Sequence, residues 1–254
     1  MITLRRSTEL KYLLSQEEGK TYPKVLVAAP TYAGKHYIFR QFYEAISNLE
    51  YPNYSFIIVD NTDDNKAYYT KLKRSGYKNI YRTPRGGNSR NALSISQNFI
   101  RQKFIEGGYD YLLSVESDLI PPVDVIQKLM KHQAPIIGSV YYLMDQKTGY
   151  RVPCIFFVKI NKDGVGGTRL ISRDEIPDYL SKGVKKVHGV GLGCTLIRRD
   201  IVERFSFWTD ERFTNKHSDV YFFMELHNAK IPVYVDTDLI VPHFPSDWRG
   251  VADR

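Results

Sequence analysis

Cysteine is nearly absent: Cys154 and Cys194 are the two in 254 residues, each inside its own apolar run. They sit in neither a metal-ligand nor a redox pair spacing, so both read as buried thiols of a reducing compartment rather than parts of a disulfide framework. Apolar stretches long enough to span a bilayer are also missing. The opening "MITLRRSTELKYLLSQEEGK" lacks the unbroken apolar centre of a secretory signal. A soluble, cytoplasmic protein is the expectation. Internal repeats, low-complexity tracts and dense Lys/Arg runs are absent too. The net charge is nevertheless +8, which favours a polyanionic partner such as nucleic acid, an acidic lipid surface or a phosphorylated ligand. A generally basic solvated surface is the plainer explanation.

What is present reads as globular, with 43% hydrophobic and 25% charged residues. After a polar, helical lead-in, strand and helix signals alternate. "KVLVAA" reads as a buried strand, and 35–49 as a helix with Ile38, Phe42, Ala45, Ile46 and Leu49 on one face. "YSFIIVD" is a second strand ending at Asp60, with "NTDDN" as turn and helix start. "KNIYRT" is a third. "PRGGNSRN" opens a helix to about residue 105 that buries Ala92, Ile95, Phe99 and Phe104. "YDYLLSVES" is a fourth strand, with a helix near 123–132. This order predicts a mostly parallel sheet with helices on both faces. Beyond 136, "PIIGSVYYLM" and "RVPCIFFVKI" read as an antiparallel pair joined by "DQKTGY". "CTLIRRDIVERF" reads as a strand and short helix, and 217–229 as another helix. One domain is expected over 1–254, with a nucleotide-like first half (24–132), a mixed second half (133–245) and a C-terminal tail or lid (246–254).

Ligands of such sheets bind at the carboxyl ends of the strands. Those ends are Pro30-Thr31-Tyr32, Asp60 and Glu116-Ser117-Asp118. The first resembles a phosphate-binding P-loop, but only in part. Ala29 stands in place of its first glycine, His36 in place of the metal-holding Ser/Thr, and Pro30 removes an amide from the arc. Lys35 is then left as a surface charge. "LLSVESDL" is more informative. Its two carboxylates, Glu116 and Asp118, are two residues apart and in extended chain point the same way, so both can face one divalent ion. Ending a strand and capping the next helix is the ordinary alternative.

Taken together, these stretches resemble the GT-A glycosyltransferases, most closely family 2. "VLVAAPTYAGKHY" is similar to the family's first strand ending in Pro-x-Tyr, "FIIVDNTDDN" to its Val-Asp with a trailing Asp, and "GGNSRNALSISQ" to its Gly-x-x-x-Ala-Arg-Asn-x-Gly. "LLSVESDLIPP" resembles the strand ending in Asp-x-Asp, "GVGLGCTLIRRDIVER" the Gly-rich acceptor-side loop, and "HSDVYFFMELHNAKIPVYVD" the helix opened by Glu-Asp. Order and spacing match from about 24 to 245.

The resemblance implies a GT-A (Rossmann-like) α/β fold and a nucleoside-diphosphate sugar donor, UDP- or GDP-linked. Pro30, Thr31, Tyr32, Asp60, Arg90 and Ser117 would be its nucleotide-binding residues. Asp118 would be the main metal ligand, with Glu116 in place of the family's first Asp and His243 in "LIVPHF" as a late third ligand. An imidazole beside carboxylates suits Mn²⁺ better than Mg²⁺. Asp219 would be the catalytic base of an inverting transfer to an acceptor hydroxyl, although Ser218 replaces the Glu that precedes it in the family. Without that base, a retaining enzyme becomes the reading. Trp248 and Arg249 in "FPSDWRG" would form a lid over the donor, or belong to a flexible tail, which the composition fits equally well. The acceptor is left open; the positive charge tilts it towards an anionic one, such as modified nucleic acid or polysaccharide. The competing classes are a nucleotidylyltransferase of the same fold and a catalytically silent sugar- or nucleic-acid-binding protein. The first should carry an Arg- and Gly-rich run after the first strand, which "APTYAGKHY" lacks.

Overall fold

The computed structural model describes residues 21–144, 149–160, 166–181, 183–212 and 216–245. The expected helical lead-in, most of the "DQKTGY" turn and the Trp248–Arg249 lid lie outside the described residues.

The first half alternates as the hydrophobic pattern demands. Strands β1 (Val25–Thr31), β2 (Tyr54–Asp60), β3 (Ile80–Arg82) and β4 (Tyr111–Val115) are separated by helices α1 (Phe39–Ser47), α2 (Ala67–Arg74) and α3 (Ser89–Glu106). Helix α4 (Val125–Met130) leads to β5 (Ile136–Val140). The second half adds the hairpin β6 (Tyr142–Met144) and β7 (Arg151–Pro153), then β8 (Ile155–Ile160), β9 (Gly166–Leu170), α5 (Ile176–Tyr179), β10 (Val184–Val187) and β11 (Gly189–Val190). Strand β12 (Cys194–Arg198), α6 (Arg199–Arg204), α7 (Ser218–Asn228) and β13 (Val233–Ile240) complete it.

The central sheet has the order β10-β13-β5-β12-β4-β1-β2-β3. All its strands run one way except β12 and the edge strand β10. Strand β1 sits in parallel register with β2, Thr31 beside Asp60, and with β4, so the carboxyl ends of three strands open on one edge. Both faces are covered. Alternate β1 residues go to opposite cores: Val25, Val27 and Ala29 pack with Phe39, Phe42 and Ile46 of α1 and Ile126 and Leu129 of α4. Leu26 and Ala28 pack with Ile100 and Phe104 of α3 and Phe222, Phe223 and Leu226 of α7. A strand buried on both sides must be apolar throughout, which is why "VLVAA" shows no alternation.

Three expectations need correction. The helix read from 35 begins at Phe39, after a single 3₁₀ turn over Ala33–Lys35; Ile38 and Leu49 are buried but flank the helix. On α3, Ile95 and Phe99 are only partly buried, while Ser94, Ser96 and Gln97 are buried. Polar partners take the place of packing there: Asn61 and Thr83 meet Ser96 Oγ at 3.1 and 3.0 Å, and Ser94 Oγ donates to the Phe207 carbonyl at 2.9 Å. The antiparallel pair is real only as the short hairpin β6/β7. "PIIGSV" instead joins the central sheet beside β13 and β12, and "IFFVKI" pairs with β9 and β11 in a separate three-stranded sheet. Both cysteines are free and buried, as expected.

The "GLG" arc before β12 is tightly packed. A Cβ added at Gly191 would lie 1.7 Å from Tyr141 Oη and 2.6 Å from Cys154 Sγ. Gly191→Ala is therefore expected to destabilise the fold by about 1–3 kcal/mol through overpacking, roughly 2–4 °C of Tm per kcal/mol. A thermal melt checks this, and an unchanged Tm would contradict it.

Candidate metal and donor site

Strand β4 hands over to a tight turn. Glu116 N–H donates to the Gly193 carbonyl at 2.9 Å, and Leu119 N–H to the Glu116 carbonyl at 3.0 Å. The chain leaving β13 is zipped onto this turn. Leu119 and His243 form an antiparallel bridge, Phe244 N–H donates to the Asp118 carbonyl at 2.9 Å, and Ile120 N–H to the Pro242 carbonyl at 3.1 Å. Residues far apart in sequence are thereby brought into one cluster: ligand atoms of Glu116, Asp118 and His243 lie within 4.8 Å of one another.

The chemistry of this set fits a divalent cation. His243 Nδ1 is 2.7 Å from the Tyr142 carbonyl, which can only accept, so Nδ1 carries a proton. In a neutral ring Nε2 then presents a lone pair, and it faces Asp118 Oδ2 at 3.3 Å. Two lone pairs facing each other need a proton or a metal between them, and the carbonyl behind the ring is the usual orienting partner of a metal-bound histidine. Asp118 is fully buried, and its Oδ1 has no hydrogen-bond partner among the described residues. An orphaned carboxylate oxygen in a buried site is costly unless a ligand satisfies it.

The titration directions follow from this crowding. Burial followed by the charge of Asp118 pushes the Glu116 carboxyl up to about 7. Burial also acts to raise Asp118, but the hydrogen bond from His243 and the charge of Lys35 outweigh it and hold it below the usual range. For His243 burial acts downward, and the Asp118 hydrogen bond and charge outweigh it, leaving the imidazole raised.

Lys35 corrects the sequence reading most directly. It is no surface charge. Its ammonium pairs with Asp118 Oδ2, and only 23% of its side chain is exposed.

Beside the acids lies a cleft of about 310 Å³. Six of the expected residues line it: Pro30, Thr31, Tyr32, Glu116, Ser117 and Asp118. Tyr32 is 38% exposed, with the Arg85 guanidinium 5.9 Å from its ring centroid. Its ring folds back over the 3₁₀ turn where Gly34 leaves room; a Cβ there would be 2.2 Å from the ring. Lys35, Asn61, Arg85, Ser89 and His217 also line the cleft, and the sequence reading gave none of them this place. The Arg85-Gly86-Gly87 run leading into Asn88, whose side chain caps α3 by accepting from Arg90 N and Asn91 N, was the available signal.

Asp60, Arg90, Asp219 and His243 are not among the residues that line the cleft. Asp60 is fully buried beside Thr31. Its Oδ1 accepts from Thr62 N and Thr62 Oγ1 at 3.0 and 2.6 Å, and Thr62 Oγ1 in turn accepts from Ala33 N at 2.8 Å. Asp60 therefore braces the turn that carries Tyr32 and Lys35. Arg90 donates to the Asp210 carbonyl at 3.3 Å, tying α3 to the loop before α7. Asp219 stands in the first turn of α7, two residues after the cleft-lining His217, and accepts from Val220 N at 2.8 Å. Burial raises its carboxyl, opposed by His217, and its charge is felt at Glu116.

No family model matches the sequence, and no curated protein matches it. Solved structures do. GalNAc-T7, determined with UDP, GalNAc and Mn²⁺, is similar with a TM-score of 0.60 at 9% identity, over 88% of this chain and 44% of that one. This chain thus spans less than half the length of that protein. A197 from STIV is similar over 88% of this chain and 87% of its own, at 15% identity and a TM-score of 0.48. The fold is GT-A-like: a large, mostly parallel central sheet flanked by helices, with smaller antiparallel sheets. No helix among the described residues is long and apolar enough to cross a membrane.

Proposed function

We propose that the protein is a metal-dependent glycosyltransferase of the family 2 kind. It moves a sugar from a nucleoside-diphosphate sugar, UDP- or GDP-linked, to an acceptor hydroxyl with inversion. One observation carries this reading: ligand atoms of two carboxylates and an imidazole lie within 4.8 Å of one another, beside a cleft at the carboxyl ends of β1 and β4. Asp118 and His243 would hold the metal, Mn²⁺ by the nitrogen-plus-oxygen donor set, with Glu116 as third ligand. Bound there, it would act as a Lewis acid towards the diphosphate leaving group. Tyr32 offers a face for the base or ribose, and Pro30, Thr31 and Ser117 a floor. Ser89, at the first position of α3, adds the partial positive charge of a helix start. Asp219 is the base that takes the acceptor proton. The net charge of +8 supports an anionic acceptor.

A thermal-shift panel of UDP-, GDP-, CDP- and dTDP-sugars with and without Mn²⁺ tests the reading. A metal-dependent rise with one nucleotide is expected; no rise with any would refute it.

The panel should depend on pH in a defined direction. With Glu116 raised from 4.5 to about 7, the folded protein keeps a proton that the unfolded chain releases, so this group's effect is to lower ligand-free stability as pH rises through that window. A cation requires the carboxylate form, so metal affinity rises over the same window. The Tm gain from Mn²⁺ should therefore be larger near pH 8 than near pH 5.5. An equal gain at both would contradict Glu116 as a ligand.

A further inference from the structure

We infer that Lys35 is an exchangeable internal cation of the acid cluster, which a divalent ion displaces from Asp118 and which then binds the donor's diphosphate. The inference rests on the proposed function and adds a residue and an order of events to it.

Three features converge on this residue. The first is placement. The ammonium sits on Asp118 Oδ2, the same oxygen that faces His243 Nε2. It therefore occupies the meeting point of the two groups best suited to hold a metal. The second is geometry. Lys35 is carried on a short turn fixed at both ends: its own N–H donates to the Tyr32 carbonyl at 2.9 Å, and Ala33 N–H donates to Thr62 Oγ1 at 2.8 Å, itself held by Asp60. The backbone cannot follow the ammonium, so a displaced side chain pivots about a fixed Cα. The third is surroundings. Lys35 borders the cleft together with Arg85 and His217. Glu116 and Asp118 line the same cleft, so the acids and the space for an anionic ligand both border Lys35.

Charge decides the sequence of events. An ammonium and a divalent ion on one carboxylate repel strongly in a buried site. Metal entry therefore expels Lys35, and a diphosphate in the cleft supplies the counter-charge it has lost. Metal and nucleoside diphosphate consequently promote each other's binding, by the same factor in each direction. In the ligand-free protein Lys35 satisfies half of Asp118, leaving Oδ1 as the orphan.

Lys35→Met keeps the length of the side chain and removes its charge. Calorimetric titration with Mn²⁺ alone should show tighter binding than wild type, by about tenfold or more, the worth of one charged hydrogen bond. Titration with UDP and with GDP at saturating Mn²⁺ should show the opposite, weaker binding by a similar factor. Lys35→Arg should stay close to wild type in both, which separates loss of charge from damage to the turn. If Lys35→Met leaves Mn²⁺ affinity unchanged or weaker, or diphosphate affinity unchanged, the exchange is wrong while the glycosyltransferase reading stands. If wild type binds neither Mn²⁺ nor a nucleoside diphosphate, both fall together.

Discussion

Asp118→Asn is expected to abolish metal-dependent turnover of the donor, by on the order of a thousandfold or more. The size follows from the role: Lewis-acid stabilisation is worth several kcal/mol, and each 1.36 kcal/mol, approximately, is a factor of ten in rate. Asparagine preserves the shape of the side chain but removes the charge that Lys35 and His243 both address. It also replaces one oxygen with a donor nitrogen that cannot ligate a cation. The Mn²⁺-dependent rise in Tm should disappear together with turnover, while the variant still melts as a folded protein. A variant that keeps its metal response and turns over within tenfold of wild type would remove Asp118 from the metal site. The comparison is informative because Asp118 lies in a turn zipped to the chain after β13 through main-chain bonds, Phe244 N–H to Asp118 O among them. Those bonds survive the substitution.

The sequence made one kind of information legible and hid another. Strand ends could be read, because a buried strand is an apolar run and its end is where polarity begins. Glu116 and Asp118 are singled out that way as candidates, and Pro30 to Tyr32 likewise. His243 needed the resemblance, since a lone histidine near the end of a chain has no local signature. What brings it to Asp118 is the bridge between Leu119 and His243, a pairing across more than a hundred residues. Lys35 was misread for a related reason. The Gly34-Lys35 pair invites a local comparison with a phosphate loop. Once that comparison fails at Ala29, Pro30 and His36, nothing nearby assigns the lysine a partner, whereas its partner is 83 residues away. Asp60 was legible as a strand end but not in orientation: a one-residue alternation decides whether a side chain faces the cleft or the turn behind it. In the second half, "PIIGSV" and "IFFVKI" carry the same apolar signal and went to different sheets, because periodicity reports burial and not partner. The polar face of α3 was misjudged because Ser94, Ser96 and Gln97 find their partners at Phe207 beyond α6, at Asn61 and Thr83 just past β2 and β3, and at Ser218 of α7, none of which the helix's own pattern contains.

Asp219→Asn carries the second large expected effect and separates the two stereochemical outcomes. A positioned base contributes about 10²–10⁴ in rate, so kcat should fall by that factor. Binding of the nucleoside diphosphate should be unchanged, because Asp219 does not line the cleft, and Mn²⁺ affinity should change only by a small factor, through the charge that Asp219 exerts on Glu116. Its position supports the role: the first turn of α7, beside the cleft-lining His217, with a charge that reaches Glu116. Ser218, standing where the family has a Glu, is buried and donates to Gln97 of α3. That bond anchors the helix start and leaves Asp219 as the acid at this end of it. Burial raises the Asp219 carboxyl above its ordinary range, and the base acts as carboxylate. The wild-type rate should therefore climb with pH through that raised value, and the variant should lose this limb of the profile. The anomeric configuration of the product, followed by proton NMR before mutarotation, gives the independent reading. Inversion together with a large loss in Asp219→Asn establishes the base. Retention, with the variant's rate within tenfold of wild type, would move the chemistry to the donor's own face and leave Asp219 as the acid that favours the start of α7.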